Sequence, residues 1–280
     1  MALMAEQLIR IQCPLCGNST PIEIVQKGQF GLDCCVSICP NDGLVYLNPR
    51  WSKERYHHFY QHEYDHYYRS PVTHDSKSEH NYTSIKKIYQ RLELNQLPLK
   101  GGSVLDVGSG MGYSLIWLKN NIPSFTRFAA IESSEHCLNH IRQQGGIEII
   151  ANDLDKDFES SAFDFIVMRH VLEHFMDPVL ALRKITSLMK PDSLLYIAVP
   201  DMMHPKGNLQ NYWFRTVHTF YFSEQTLLIT AAKAGLEPEV MGSENSELWG
   251  VFKLSACTDK LENDNNVMAK QLEVILNCLQ

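Results

Sequence analysis

The chain has 280 residues, 44% of them apolar and 20% charged, which suffices for one large domain, or a large and a small one, around a real core. A net charge of −7 argues against nucleic acid as the main partner, and no apolar run approaches the ~20 residues of a membrane span. The opening MALMAEQLIRIQ has neither a basic leader nor a small-residue cleavage site, so a cytoplasmic, reducing setting is expected. In that setting the eight cysteines read as metal ligands and free thiols rather than disulfides.

In chain order, residues 1–50 carry the cysteine motifs together with short strand-like runs such as PIEIV and GLVYL. CPLCG, residues 13–17, is half of a four-ligand zinc site in its Cys13 and Cys16. The other half should read C-x-x-C-G, but residues 39–43 are CPNDG, so Asp42 stands after Cys39 where the fourth thiolate belongs. Zinc accepts a carboxylate oxygen, and Cys34 or Cys35 could replace it by a small register change. A cysteine-containing ribbon held only by packing is the alternative.

Residues 51–100 are predicted to form a helical cap rich in Tyr and His. In RYHHFYQHEYDHYYRS, His58, His62 and His66 share one helical face and could ligate a metal. The expectation is instead that these histidines face water while the tyrosines, Tyr64 and Tyr68 among them, close over the ligands.

From Ser103 onward, apolar strand-like runs (SVLDVG, FAAIE, DFIVMRH, LLYIAVP) alternate with helical stretches (YSLIWLKNN, SEHCLNHIRQQGG, PVLALRKITSLMK). Such alternation predicts an α/β, Rossmann-like doubly wound sheet with buried parallel strands. In VLDVGSGMGYS, glycines 108, 110 and 112 follow a strand and precede a helix, where the backbone can approach a ligand closely. Tyr113 stands where a dinucleotide fingerprint needs its third glycine. Asp106, at the strand end, would repel a pyrophosphate and attract a cation. Glu132 ends the next strand, placed to accept two ribose hydroxyls.

Over residues 84–256 these features resemble the class I S-adenosylmethionine-dependent methyltransferases. The similarity takes in the FDFIVMRHVLEHFMDP segment of the H-x-LEH-x-x-DP subgroup, LMKPDSLLYIAVP at strand five with Asp192-Ser193 for the usual glycines, and FSEQTLLITAAKAGLEPEV at the late helix and strand. The resemblance implies S-adenosylmethionine as cofactor, held by Asp106, Gly108, Ser109, Gly110, Tyr113, Glu132, Ser133 and Arg169, with Asp153 and Leu154 at the adenine. It implies residues 101–257 as the cofactor domain, followed by a C-terminal helix over 258–280. GLVYLNPR after the cysteines is similar to the zinc module opening sugar C-methyltransferases, which implies structural zinc on Cys13, Cys16, Cys39 and Asp42.

For a base to take the acceptor proton, His170 and His218 are the candidates, with His204 at the acceptor. His218 aligns with the His of a Y-H-E-H-x-x-YF stretch in sugar C-methyltransferases, although Val217 replaces the preceding Glu. HVLEH, residues 170–174, also fits an inverzincin protease pattern, but directly after a buried strand it is read as part of the ligand edge. In ubiquinone-pathway O-methyltransferases a similar E-x-x-E-H segment is associated with a divalent metal; here His170 replaces the first Glu, and Glu173 and His174 are expected to brace the turn. The expected function is methyl transfer to a small molecule, a sugar or sugar nucleotide in particular. A zinc-ribbon ribosomal RNA methyltransferase and a non-catalytic cofactor-binding regulator are the alternatives. The oligomeric state is left open.

Overall fold

The computed structural model describes residues 8–63, 66–67, 74–154, 162–255 and 266–279, with only the backbone described for 61 and 74–82. Seven strands form the main sheet. In chain order they are β6 (Gly102–Val107), β7 (Phe125–Ile131), β8 (Glu148–Ala151), β9 (Phe163–Arg169), β10 (Met189–Pro200), β12 (Leu236–Glu244) and β13 (Glu247–Leu254). Their spatial order is β12-β13-β10-β9-β6-β7-β8, parallel throughout except for β13, which runs antiparallel to both its neighbours. The strand order reverses between β6 and β9, so a crevice opens at the carboxyl ends of these two strands.

The helices over the sheet are those the sequence pattern predicts. They are α3 (Tyr113–Asn121), α4 (Glu135–Gln144), α5 (Pro178–Thr186) and α6 (Glu224–Lys233), joined by α2 (His74–Leu94) from the cap. Local chemistry sets their ends. Asp177 caps α5 by accepting from Leu180 N at 2.9 Å with Pro178 in the first turn, and Ser223 and Thr226 make a reciprocal capping box on α6. Glycine at 145, in left-handed φ, closes α4. One hydrophobic cluster lies under α5 and α6, and another under α2 and α3, where Ile85, Ile88 and Leu92 pack on Val104, Phe165 and Val251. Central strands buried on both faces explain why β6 and β9 read as unbroken apolar runs.

At the N-terminus, β1 (Leu8–Ile9) pairs with β5 (Arg50–Trp51), and β2 (Ile22–Lys27), β3 (Asp33–Ile38) and β4 (Val45–Leu47) form a second sheet. The fourth strand of that sheet is β11 (Phe220–Tyr221), contributed by the segment after β10. Cys13, Leu15, Cys39, Leu44 and Tyr46 belong to the same hydrophobic cluster as Leu105, Ile166 and Phe220, so the ribbon is welded to the main sheet. A C-terminal helix, α7 (Val267–Leu279), sets Ile275, Met268 and Leu279 against Val36, Ile38 and Leu47 of the ribbon. No helix among the described residues is long and apolar enough to cross a membrane.

In the cap, α1 (Lys53–His62) starts on Ser52 and buries Tyr56 and Phe59 against Trp51, over whose ring the Arg55 guanidinium lies at 4.2 Å. His58 and His62 are exposed, as expected for the watery face. Tyr64 and Tyr68 lie outside the described residues.

Candidate active site

The loop after β6 holds the crevice. Gly108, Gly110 and Gly112 all have positive φ (69°, 55° and 73°), a region in which a side chain is strained. A Cβ on Gly110 would meet no atom within 4 Å, so open space lies above the loop. A Cβ on Gly108 would instead overlap Val171 at the end of β9, which keeps the two strand ends in close contact. Gly108→Ala is therefore expected to combine left-handed strain of about 1 kcal/mol with about 1–3 kcal/mol of overpacking. A melting temperature unchanged from that of the parent would contradict this.

Glu132, buried, spans loop and strand: Oε2 accepts from Gly110 N at 2.8 Å and Oε1 from Ser134 N at 2.7 Å. Each oxygen keeps a further lone pair for a ligand. Asp106 is buried beside it. Burial, reinforced by the neighbouring charge of Glu132, pushes the Asp106 carboxyl up to about 7, with Arg169 opposing. A cationic ligand arriving there would be stabilised by the ionised form. Ser109 has a buried Oγ with no partner, and Tyr113 is buried at the start of α3 with its ring 5.3 Å from His140. Ser133 is exposed and Asp153 half-buried after β8, whereas Leu154 packs into the core, with its carbonyl accepting from Lys184 Nζ at 3.0 Å.

Beyond the loop a cavity of about 280 Å³ lies between α2, the end of β9 and the β12–β13 hairpin. Arg91, Arg169, Lys87, His170, Glu244 and Glu247 supply its charges. Glu247 is the hub: it takes Arg91 (2.9 Å), Arg169 (2.8 Å) and His170 Nε2 (3.0 Å). Burial works against its charge, but His170, Arg169 and Arg91 outweigh it and hold the carboxyl far below the usual range. Burial likewise opposes a charged His170, yet the carboxylates of Glu173 and Glu247 prevail and raise it to about 9. No motif in the sequence marks Glu244 and Glu247 as site residues. What the chain signals there is a tight hairpin, E-N-S-E, whose Asn245 and Ser246 both take positive φ.

The remaining predicted residues lie apart from this cavity. His204 is exposed and hydrogen-bonded through Nδ1 to the buried Asp201 at 2.8 Å. His218 is buried, its ring 4.8 Å from that of His174, and burial keeps it well below the usual imidazole range.

Residues 78–239 match the family described as "Methyltransferase domain". The chain belongs to that family. It is an S-adenosylmethionine-dependent methyltransferase, and the open glycine loop, the carboxylates Asp106 and Glu132 and the unpartnered Ser109 hydroxyl fit that cofactor. Among solved structures the methyltransferase shares its fold with an S-adenosylmethionine-dependent methyltransferase from Mesorhizobium loti (16% identity, 59% of this chain and 96% of that one, TM-score 0.50). It shares the fold also with a chain from the complex between a Haloferax volcanii methyltransferase activator and a methyltransferase (16% identity, 66% and 100%, TM-score 0.50). A third such structure is a Pyrococcus horikoshii protein (16% identity, 71% and 99%, TM-score 0.50). No curated protein matches the chain.

The methyltransferase's ribbon brings its two knuckles together. Gly17 N donates to Cys13 O and Gly43 N to Cys39 O, turns that need the positive φ of both glycines. Cys13 Sγ lies 3.2 Å from Asp42 Oδ2 and Cys16 Sγ 3.4 Å from Cys39 Sγ, with all four donor atoms within 4.8 Å of one another. The second Asp42 oxygen accepts from Leu44 N at 2.9 Å, which aims Oδ2 at the cysteines. The set fits a tetrahedral zinc ion. Cys34 and Cys35 are not in it; Cys34 is buried against Gly28.

Proposed function

We propose that the methyltransferase acts on a small molecule carrying an anionic group, such as a sugar phosphate or sugar nucleotide. The observation that carries this reading is the charge balance of the cavity beside the glycine loop. The cavity wall presents Lys87, Arg91, Arg169 and a protonated His170 against Glu244 and Glu247, with Glu173 behind His170, so positive charge is in excess at the wall and an acidic acceptor is favoured there. A cavity of about 280 Å³ suits a small molecule, and the chain's net charge of −7 disfavours a polyanion. Asp106 and Glu132 then hold the cofactor's cationic and ribose groups, with Arg169 between cofactor and acceptor. Methyl transfer is an in-line displacement, for which orienting the acceptor supplies much of the rate. His170 serves as an anion-binding and orienting group, since it keeps its proton to about pH 9. Residues 1–50, with zinc on Cys13, Cys16, Cys39 and Asp42, support this frame in a reducing cytoplasm.

The test is transfer of labelled methyl from S-adenosylmethionine to a panel of phosphorylated sugars, sugar nucleotides and small carboxylates, with total RNA as a separate arm. Labelling of an anionic small molecule is expected; labelling of RNA alone would overturn the reading. A His170→Gln variant should raise acceptor KM about tenfold, the loss of one charge-assisted contact, with cofactor affinity intact. The pH dependence has a defined sign. His170 is charged below its raised value, so acceptor KM should stay low at neutral pH and climb as pH rises through about 9. In His170→Gln that climb should be absent, and its persistence would assign the charge to another group.

A further inference from the structure

Behind the cavity lies a buried polar cluster that methyl transfer, as read above, leaves unused. Glu173 is 1% exposed, and neither of its carboxylate oxygens has a hydrogen-bond partner. The nearest imidazole nitrogens are His170 Nδ1 at 3.6 Å and His174 Nε2 at 3.9 Å, both beyond hydrogen-bond reach. Charged His170 faces Glu173 from one side without hydrogen-bonding it, and buried carboxylate oxygens left without a hydrogen bond are costly.

Two imidazoles meet that carboxylate. His174 Nδ1 is 2.9 Å from the carbonyl of Val217; a carbonyl only accepts, so Nδ1 carries the proton and Nε2 presents a bare lone pair toward Glu173. Such a hydrogen bond from the far ring nitrogen to a backbone carbonyl is how metal-bound histidines are oriented. His218 comes from a different segment, with its ring 4.8 Å from that of His174 at 86° and a buried Nδ1 that has no partner. One donor atom from each of Glu173, His174 and His218 lies within 4.8 Å of the others. Ligand bonds of about 2.0–2.2 Å put coordinating atoms up to about 4.4 Å apart, so small side-chain rotations close the set. The backbone is already stitched: Thr219 donates from N (2.8 Å) and Oγ1 (2.9 Å) to the Glu173 carbonyl, and Oγ1 lies 2.6 Å from the Phe175 carbonyl.

We propose that Glu173, His174 and His218 form a second metal site, for a divalent first-row transition ion. Two imidazole nitrogens and one carboxylate oxygen suit zinc, iron(II), cobalt(II) or manganese(II) and leave coordination positions open, while magnesium prefers an all-oxygen shell. The site is separate from the cysteine knuckles and does not depend on the identity of the acceptor. His218 is then a metal ligand.

Manganese separates the two sites, since it favours nitrogen and oxygen over thiolate. The full-length protein, loaded with one equivalent of zinc so that its knuckles stay folded, would be titrated with manganese by calorimetry and by electron paramagnetic resonance. About one equivalent should bind and raise the melting temperature, with the zinc content unchanged. Glu173→Gln and His218→Ala should each weaken binding at least about tenfold. Without manganese, Glu173→Gln should melt no lower than the parent, because a neutral amide replaces an orphaned charge; this variant carries the test if His218→Ala folds poorly. Absence of saturable binding of manganese, cobalt or a second equivalent of zinc by the zinc-loaded protein would overturn the proposal. So would parental manganese affinity in Glu173→Gln.

Discussion

A Glu132→Ala variant should bind S-adenosylmethionine at least about 100-fold more weakly than the parent. The carboxylate ends β7 at the crevice, facing the open space above Gly110, where a ribose diol would find its acceptor. Hydrogen bonds to a charged group contribute about 1.5–3 kcal/mol each, and losing two of them corresponds to a factor of about 100 or more in affinity. A second loss adds to the first. Gly110 N and Ser134 N, both now accepted by Glu132, would lose their partner, and the loop that its carboxylate tethers would loosen. Glu132→Gln retains one acceptor oxygen and should fall between the two. Calorimetry with the cofactor and with its demethylated product reads both variants. Unchanged affinity in Glu132→Ala would remove this residue from the site.

With zinc on the knuckles as proposed, its loss is the second large expected effect. Cys39→Ser removes one of the four donors, and in the zinc-bound protein it should release the metal and unfold the ribbon first. Binding energy at a structural zinc is folding energy. Because Cys13, Cys39 and Tyr46 share a hydrophobic cluster with Leu105 and Phe220, the damage should spread into the main sheet and lower the global melting temperature. That is a stronger coupling than a detached module would give. Asp42→Cys supplies the thiolate usual at this position and should hold zinc at least as tightly; Asp42→Ala should lose it. Elemental analysis and thermal melts on these variants decide the matter. Full zinc content in Asp42→Ala would exclude the carboxylate as a ligand.

Several features were legible in the sequence because they are local. The alternation of apolar strands with amphipathic helices sets the doubly wound sheet through periodicities read within a few residues. Glycines 108, 110 and 112 announce left-handed backbone because only glycine takes it without strain, and the structure has all three there. Asp106 and Glu132 were placed by their positions at strand ends, and they stand together because β6 and β7 are parallel neighbours in register. The two knuckles likewise follow from short spacings, with Asp42 in the slot of the missing thiolate.

What joins distant segments was decided only by the tertiary structure. Nothing near Val45 indicates that β11, from beyond residue 200, completes the ribbon's sheet, nor that α7 covers the ribbon from the far end of the chain. The role of His170 depends on Glu247, a residue on a hairpin that reaches the cavity only after β13 inserts antiparallel beside β10. The cap histidines and HVLEH both looked like metal motifs by spacing alone. In the folded chain the cap histidines face water, and His170 turns to Glu247 while His218 arrives beside Glu173 and His174. Spacing along the chain fixes which side chains can share a helix face. Burial, charge balance and the partner offered to each lone pair are set by contacts between segments far apart in the chain, and those exist only in the fold.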